Sequence, residues 1–98
     1  MSQTKTIDKS EFKLKRPKKY VVLFHNDDYT PATFVVELLQ KVFHKTREEA
    51  EFIASETHKK GIGSAGSYTY EIAETKLLEV TNIIKLTEHP LLVTIKEE

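Results

Sequence analysis

The apolar and aromatic run Tyr20-Val21-Val22-Leu23-Phe24 passes directly into the polar stretch His25-Asn26-Asp27-Asp28-Tyr29. The run is short, rich in β-branched and aromatic side chains and bounded by polar residues, so it reads as a buried strand that ends in a turn. A chain of 98 residues supports one domain with a modest core. The other elements must therefore pack around this strand.

Thr30-Pro31 looks like an N-cap followed by a proline at the first helical position. The first helix is predicted from about Pro31 to Phe43, with Val35, Leu38, Leu39 and Val42 as its apolar stripe. Thr46-Arg47-Glu48-Glu49 has capping-box spacing and opens a second helix, which stops at Gly61. That helix carries Ala50, Ile53, Ala54, Thr57 and His58 around one side. Ile62 to Tyr68 contains Gly63 and Gly66 and reads as a loop followed by a short strand. Thr69 can cap a third helix from about Tyr70 to Glu88, with Ala73, Leu77, Val80 and Ile84 facing inward. His89-Pro90 ends it, because the residue before a proline is pushed out of the helical region. Leu91 to Lys96 forms a final strand. The predicted fold is α+β, a small three-stranded antiparallel sheet packed against three helices in the order β-α-α-β-α-β.

Charge is unevenly distributed. Up to Lys19 there are seven basic residues (Lys5, Lys9, Lys13, Lys15, Arg16, Lys18 and Lys19) against Asp8 and Glu11, a net +5. Since the whole chain is neutral, residues 20–98 carry −5. Residues 1–19 have too little apolar content for a core and read as a flexible basic extension, leaving residues 20–98 as the folded domain. Hydrophobic residues make up 39% of the chain, but no apolar run is long enough for a transmembrane helix, and the polar N-terminus does not resemble a secretory signal. The absence of cysteine excludes disulfides and thiolate metal sites. A cytoplasmic protein fits these features.

No Ser/His/Asp order, glycine-rich phosphate loop or strong metal spacing is present. What stands out is the acidic turn Asn26-Asp27-Asp28 and His58 on a helix face. By themselves these residues are compatible with simple capping of a helix and a histidine near a helix C-terminus. A metal-dependent hydrolase using Asp27, Asp28 and His58 is an alternative, although no general base or oxyanion donor accompanies them. A nucleic-acid-binding module using the basic extension is another. Against it, the body is acidic and no aromatic residues interleave with the basic run.

Asn26-Asp27-Asp28-Tyr29-Thr30-Pro31, with Phe34-Val35 after it, resembles the signature of the ClpS adaptor family. So do Ala73-Glu74-Thr75-Lys76 and His89-Pro90-Leu91-Leu92, while Phe43, His58 and Gly61 fall in matching order. The likeness runs from about Lys19 to Ile95. It implies a protein that is not an enzyme and needs no cofactor or metal. Such an adaptor binds the free N-terminal Leu, Phe, Tyr or Trp of N-degron proteins and delivers them to a ClpA-type AAA+ unfoldase of the Clp protease. Neither nucleic acid nor membrane is an expected partner, and a monomer is the expected state.

The resemblance also implies roles for residues. Asn26, Asp28 and His58 would accept hydrogen bonds from the ligand's α-ammonium, and such charge-assisted bonds are strong. Asp27 would either face the peptide or cap the turn. Ala32, Val35, Leu38, Ala54, Thr57 and Leu91 would line the side-chain pocket, with Thr30 at its rim. Glu71 and Lys76 would touch the N-terminal domain of the unfoldase, and the flexible extension would assist transfer. Many family members carry Met where this chain has Ala32 and Ala54, which implies a roomier pocket here. Ser64-Ala65-Gly66 stands where Cys-Gly is common.

Overall fold

A computed structural model describes residues 17–98. The basic extension expected over residues 1–19 therefore lies almost wholly outside the described residues. Strand β1 spans Lys19–His25, helix α1 Ala32–Lys41, helix α2 Arg47–Lys60, strand β2 Ile62–Thr69, helix α3 Tyr70–Thr87 and strand β3 Leu92–Glu97. The predicted α+β order is borne out. No helix among the described residues is long and apolar enough to cross a membrane.

β1 is the middle strand of an antiparallel sheet in the order β2-β1-β3. Val22 and Phe24 alternate onto the helix-covered face and are fully buried, as the period-two geometry of a strand requires. Val22 pairs with Gly66 and Ile95, and Phe24 pairs with Gly63 and Val93. Val22 and Phe24 thus each have a glycine beside them on one flank. Phe24 also meets Phe43 edge-on, with ring centroids 5.6 Å apart, a favourable arrangement for two quadrupoles.

The apolar stripe of α1 lies where the spacing predicts, with Val35, Leu38, Leu39 and Val42 all buried. The start of the helix differs. Pro31, not Thr30, occupies the N-cap position with extended backbone. Its carbonyl accepts from the Phe34 and Val35 amides at 3.0 and 3.3 Å, while the Thr30 hydroxyl is engaged in the preceding turn. For α2 the capping box forms as expected: Thr46 Oγ1 accepts from the Glu49 amide at 3.1 Å, and Glu49 Oε1 from the Thr46 amide at 2.9 Å. Gly61 closes the helix in the left-handed region, φ 88°, and its N–H bonds to the Thr57 carbonyl.

The segment after Gly61 is one continuous strand, not a loop followed by a short strand. Val22 pairs with Gly66 and Leu23 with Ser64, so Ala65 is the extra residue of a β-bulge, and it is fully buried. The glycines that suggested a loop instead let this strand bulge and approach α2 closely. A Cβ at Gly63 would collide with the Thr57 side chain and come within 3.3 Å of the Ile53 carbonyl.

α3 touches all three strands, and α2 packs on β2 and against α1. Thr69 stands at the N-cap of α3 without a side-chain capping bond. Ala73 and Val80 are fully buried on the inner face, with Leu77 and Ile84 packed at its margin. Lys76 crosses to the end of α1, where its ammonium donates to the Val42 carbonyl at 2.7 Å. This ties α3 to a carbonyl that the end of α1 leaves without a helical partner.

The Gly63–Thr57 contact yields a test. Gly63→Ala should lower unfolding free energy by about 1–3 kcal/mol through overpacking. In a Thr57→Ala background the same change should cost clearly less, because the colliding hydroxyl is gone. Urea denaturation of the four proteins measures the coupling, and equal costs in both backgrounds would rule the contact out as the cause.

Candidate functional site

The turn after β1 is fixed from two directions. The Asn26 amide donates to the Gly61 carbonyl at 2.9 Å, so the end of β1 is tied to the end of α2. Within the turn, Asp27 Oδ1 accepts from the Tyr29 and Thr30 amides at 2.8 and 2.7 Å, and Oδ2 accepts from the Thr30 hydroxyl at 2.8 Å. This is an Asx turn reinforced by a hydroxyl. Between capping the turn and facing a ligand, Asp27 therefore does the first. Desolvation pushes its carboxyl pKa upward. The hydrogen bonds from the Thr30 hydroxyl and the two amides, with the charge of His89, outweigh that and hold it below the usual carboxylate value.

Asp28, next along the chain, is exposed. Its carboxylate, the Asn26 side chain and the His58 ring make no hydrogen bond or ion pair to any described residue. His58 lies in the last turn of α2, one turn before the Gly61 cap that holds Asn26. The strand-to-helix tie thus brings three unengaged polar groups to one place.

They border a cavity of about 290 Å³. Its polar side consists of His25, Asn26, Asp27, Asp28, Thr30 and His58, and the remainder of Ala32, Val35, Ala54, Thr57 and Leu91. Val35, Ala54, Thr57 and Leu91 are buried, so this part of the wall is fixed by core packing. The Thr57 hydroxyl donates to the Ile53 carbonyl at 2.8 Å, which satisfies it inside its own helix and leaves the methyl as the group it can offer the cavity. Ten of the residues singled out from the sequence meet here. Leu38 does not: only 2% exposed, it sits in the core and is not on the cavity wall.

Two histidines to which the sequence assigns no site role lie at or near the cavity. His25 ends β1 and lines the cavity, with Nε2 2.8 Å from Thr94 Oγ1 on β3. Its place between an apolar strand and the acidic turn was the available signal. His89 packs against Phe34, ring centroids 4.4 Å apart. The two residues expected on a second surface lie on α3. Glu71 is exposed in its first turn, whereas Lys76 is half-buried through its bond to Val42.

Among the described residues no group of three or more His, Cys, Asp or Glu side chains is placed to hold a metal. With both oxygens of Asp27 engaged in the turn, the geometry does not favour the metal-dependent hydrolase.

The sequence and the fold both have relatives. Residues 15–94 match the family model described as the ATP-dependent Clp protease adaptor protein ClpS. An ATP-dependent Clp protease adapter protein ClpS from Bdellovibrio bacteriovorus is 48% identical over 86 residues, covering 88% of this chain and 75% of its own. Its counterpart from Rhodospirillum centenum is 43% identical over 95 residues, covering 97% and 88%. Among solved structures, Agrobacterium tumefaciens ClpS2 bound to L-phenylalaninamide superposes with a TM-score of 0.81 at 36% identity, covering 85% of this chain and all of that one. The molecule is an adaptor and not an enzyme. It belongs to the ClpS family of Clp protease adaptors.

Thr30→Val should raise the pKa of the Asp27 carboxyl by removing its hydroxyl donor while leaving the two amides in place. Carboxyl-carbon NMR titration reads this directly. Because the carboxyl pKa is depressed in the fold, its stabilising contribution is present above the unfolded-state pKa and is lost as pH falls through the folded value. The variant should therefore lose stability at neutral pH and differ less from the native protein in acid. An unshifted Asp27 titration would show that the hydroxyl does not hold the carboxylate.

Proposed function

We propose that this adaptor captures proteins by a free N-terminal Leu, Phe, Tyr or Trp and delivers them to a ClpA-type unfoldase, working as a monomer in the cytoplasm. The observation that carries this reading is the pairing of unengaged acceptors with an apolar recess in one cavity. An α-ammonium offers three donors and a positive charge. The Asn26 amide oxygen, the Asp28 carboxylate and a neutral His58 nitrogen are acceptors of suitable kind at the cavity mouth. The side chain then enters between Val35, Ala54, Thr57 and Leu91. The ligand of the Agrobacterium ClpS2 structure, L-phenylalaninamide, has this chemistry: a free α-amine beside an aromatic side chain.

Asp27 and Thr30 serve the site by fixing the turn. Glu71 and Lys76 mark the surface that meets the unfoldase, with the Val42 hydrogen bond holding Lys76 in place.

Peptides beginning with Phe should bind with a free amine and lose most of their affinity on acetylation, which removes charge and donors together. Asp28→Ala and His58→Ala should each weaken binding roughly tenfold or more, the value of a hydrogen bond to a charged group. Fluorescence anisotropy with a labelled peptide measures both. Equal affinity for free and acetylated peptides would refute the reading.

Glu71→Arg should leave peptide affinity within about twofold, since Glu71 does not line the cavity, yet reduce degradation by the unfoldase–protease pair. Undiminished delivery by this variant would remove Glu71 from the docking surface.

A further inference from the structure

A groove of about 510 Å³ runs between α1 and α2. Val36, Gln40 and Ser55 belong to the groove alone, while Ala32, Ala54 and His58 border both the groove and the inner cavity. The two spaces thus adjoin at Ala32, Ala54 and His58, and each helix contributes there an alanine, a single methyl where a longer side chain would separate them further. The charges along the groove are matched to one another. Glu37 lies 3.6 Å from Lys41, and Glu51 lies 3.1 Å from Arg47. Neither pair leaves an uncompensated charge to attract an ionic ligand, and an apolar occupant displaces water at the least cost.

We propose that the groove is the distal extension of the amino-acid pocket, and that the far end of a long, apolar N-terminal side chain passes between Ala32 and Ala54 into it. The proposal rests on the inner cavity being the pocket for the first residue. The occupant is limited in chemistry. It must be anchored by its amine at His58, fill the inner cavity and still have apolar length beyond it. An extended biaryl side chain carries one ring more than Phe and is the ligand that tests for this extra length. On this reading Ala32 and Ala54 are the residues that set the upper size limit of the ligand.

Peptides beginning with Leu, Phe and 4-phenylphenylalanine, titrated against the full chain, test this. The native protein should bind the 4-phenylphenylalanine peptide at least as tightly as the Phe peptide. Ser55→Trp, a change at an exposed helical position outside the inner cavity, fills the groove. It should weaken the 4-phenylphenylalanine peptide about ten- to hundredfold, the worth of one buried ring, with Leu and Phe peptides within about twofold of native. Gln40→Trp, from the opposite wall, should act in the same direction, and thermal melts establish that both variants are folded. Native protein that binds Phe but rejects 4-phenylphenylalanine overturns the extension alone. Unchanged affinity in both variants, or an equal loss for Phe and 4-phenylphenylalanine, does the same. Native protein that binds none of the three peptides overturns the adaptor reading and the extension with it.

Discussion

The hydrogen bond from the Asn26 amide to the Gly61 carbonyl fixes the relation on which the site depends. It joins the last residues of β1 to the cap of α2, elements separated in sequence by all of α1. Gly61 can serve because its left-handed backbone, φ 88°, turns the chain from helix to strand within one residue. Ile62 then pairs with His25 and starts β2 beside β1. One short junction therefore sets the strand register, ends the helix and places His58 next to the acidic turn. Without it, the polar groups of the turn and of α2 would have no fixed geometry, and a ligand amine would have to order them itself.

Below that junction, small residues decide where the core ends and the cavity begins. Gly63 allows β2 to approach Thr57, and Gly66 and the Ala65 bulge keep β2 in contact with β1 despite the extra residue. Ala32 and Ala54 act in the opposite sense, leaving space between α1 and α2 instead of closing it. Val35 and Leu38 lie one turn apart on α1, yet one lines the cavity and the other is enclosed in the core. The recess is thus a local failure to fill space in a core that is otherwise closely packed.

The elements legible in the sequence were those with strong local signals: the β1 run, the capping box at Thr46, the stripe on α1 and the stop at Gly61. The errors arose where tertiary contacts outweighed such signals. Gly63 and Gly66 looked like loop residues, but one is required by Thr57 across the domain and the other lies beside a bulge. Thr30 looked like an N-cap, but Asp27 captures its hydroxyl and Pro31 takes the cap position. That Asn26, Asp27 and Asp28 lie together follows from their being contiguous, and α2 brings His58 to the same cavity. His25 stands beside the same turn, but its contact with Thr94 depends on β3 lying alongside β1, which no local pattern encodes. The resemblance implies a place for Leu38 in the pocket, but the structure encloses it in the core: helical spacing puts it near Val35 on α1 without setting its depth.

Asp27 and Asp28 show why two adjacent carboxylates serve this turn better than one. A carboxylate that accepts from two amides and a hydroxyl is a rigid internal fastener, and it has little capacity left for a ligand. A carboxylate with no internal partner can attract an ammonium, but its own side chain is then free to move. Dividing the tasks between neighbours resolves the conflict: Asp27 orders the backbone, and that order presents Asp28 at a defined point on the cavity edge. The negative charge of Asp27 is not cancelled by neutral donors, so it still contributes to the potential at the mouth. Replacing Asp27 by Asn would keep one acceptor oxygen for the amides and reverse the other bond, with the Asn Nδ2–H donating to the Thr30 hydroxyl oxygen. The turn would then lose its charge while keeping its hydrogen-bonded shape, so a weaker hold on a cationic ligand would report the field of a carboxylate whose oxygens are bound within the turn.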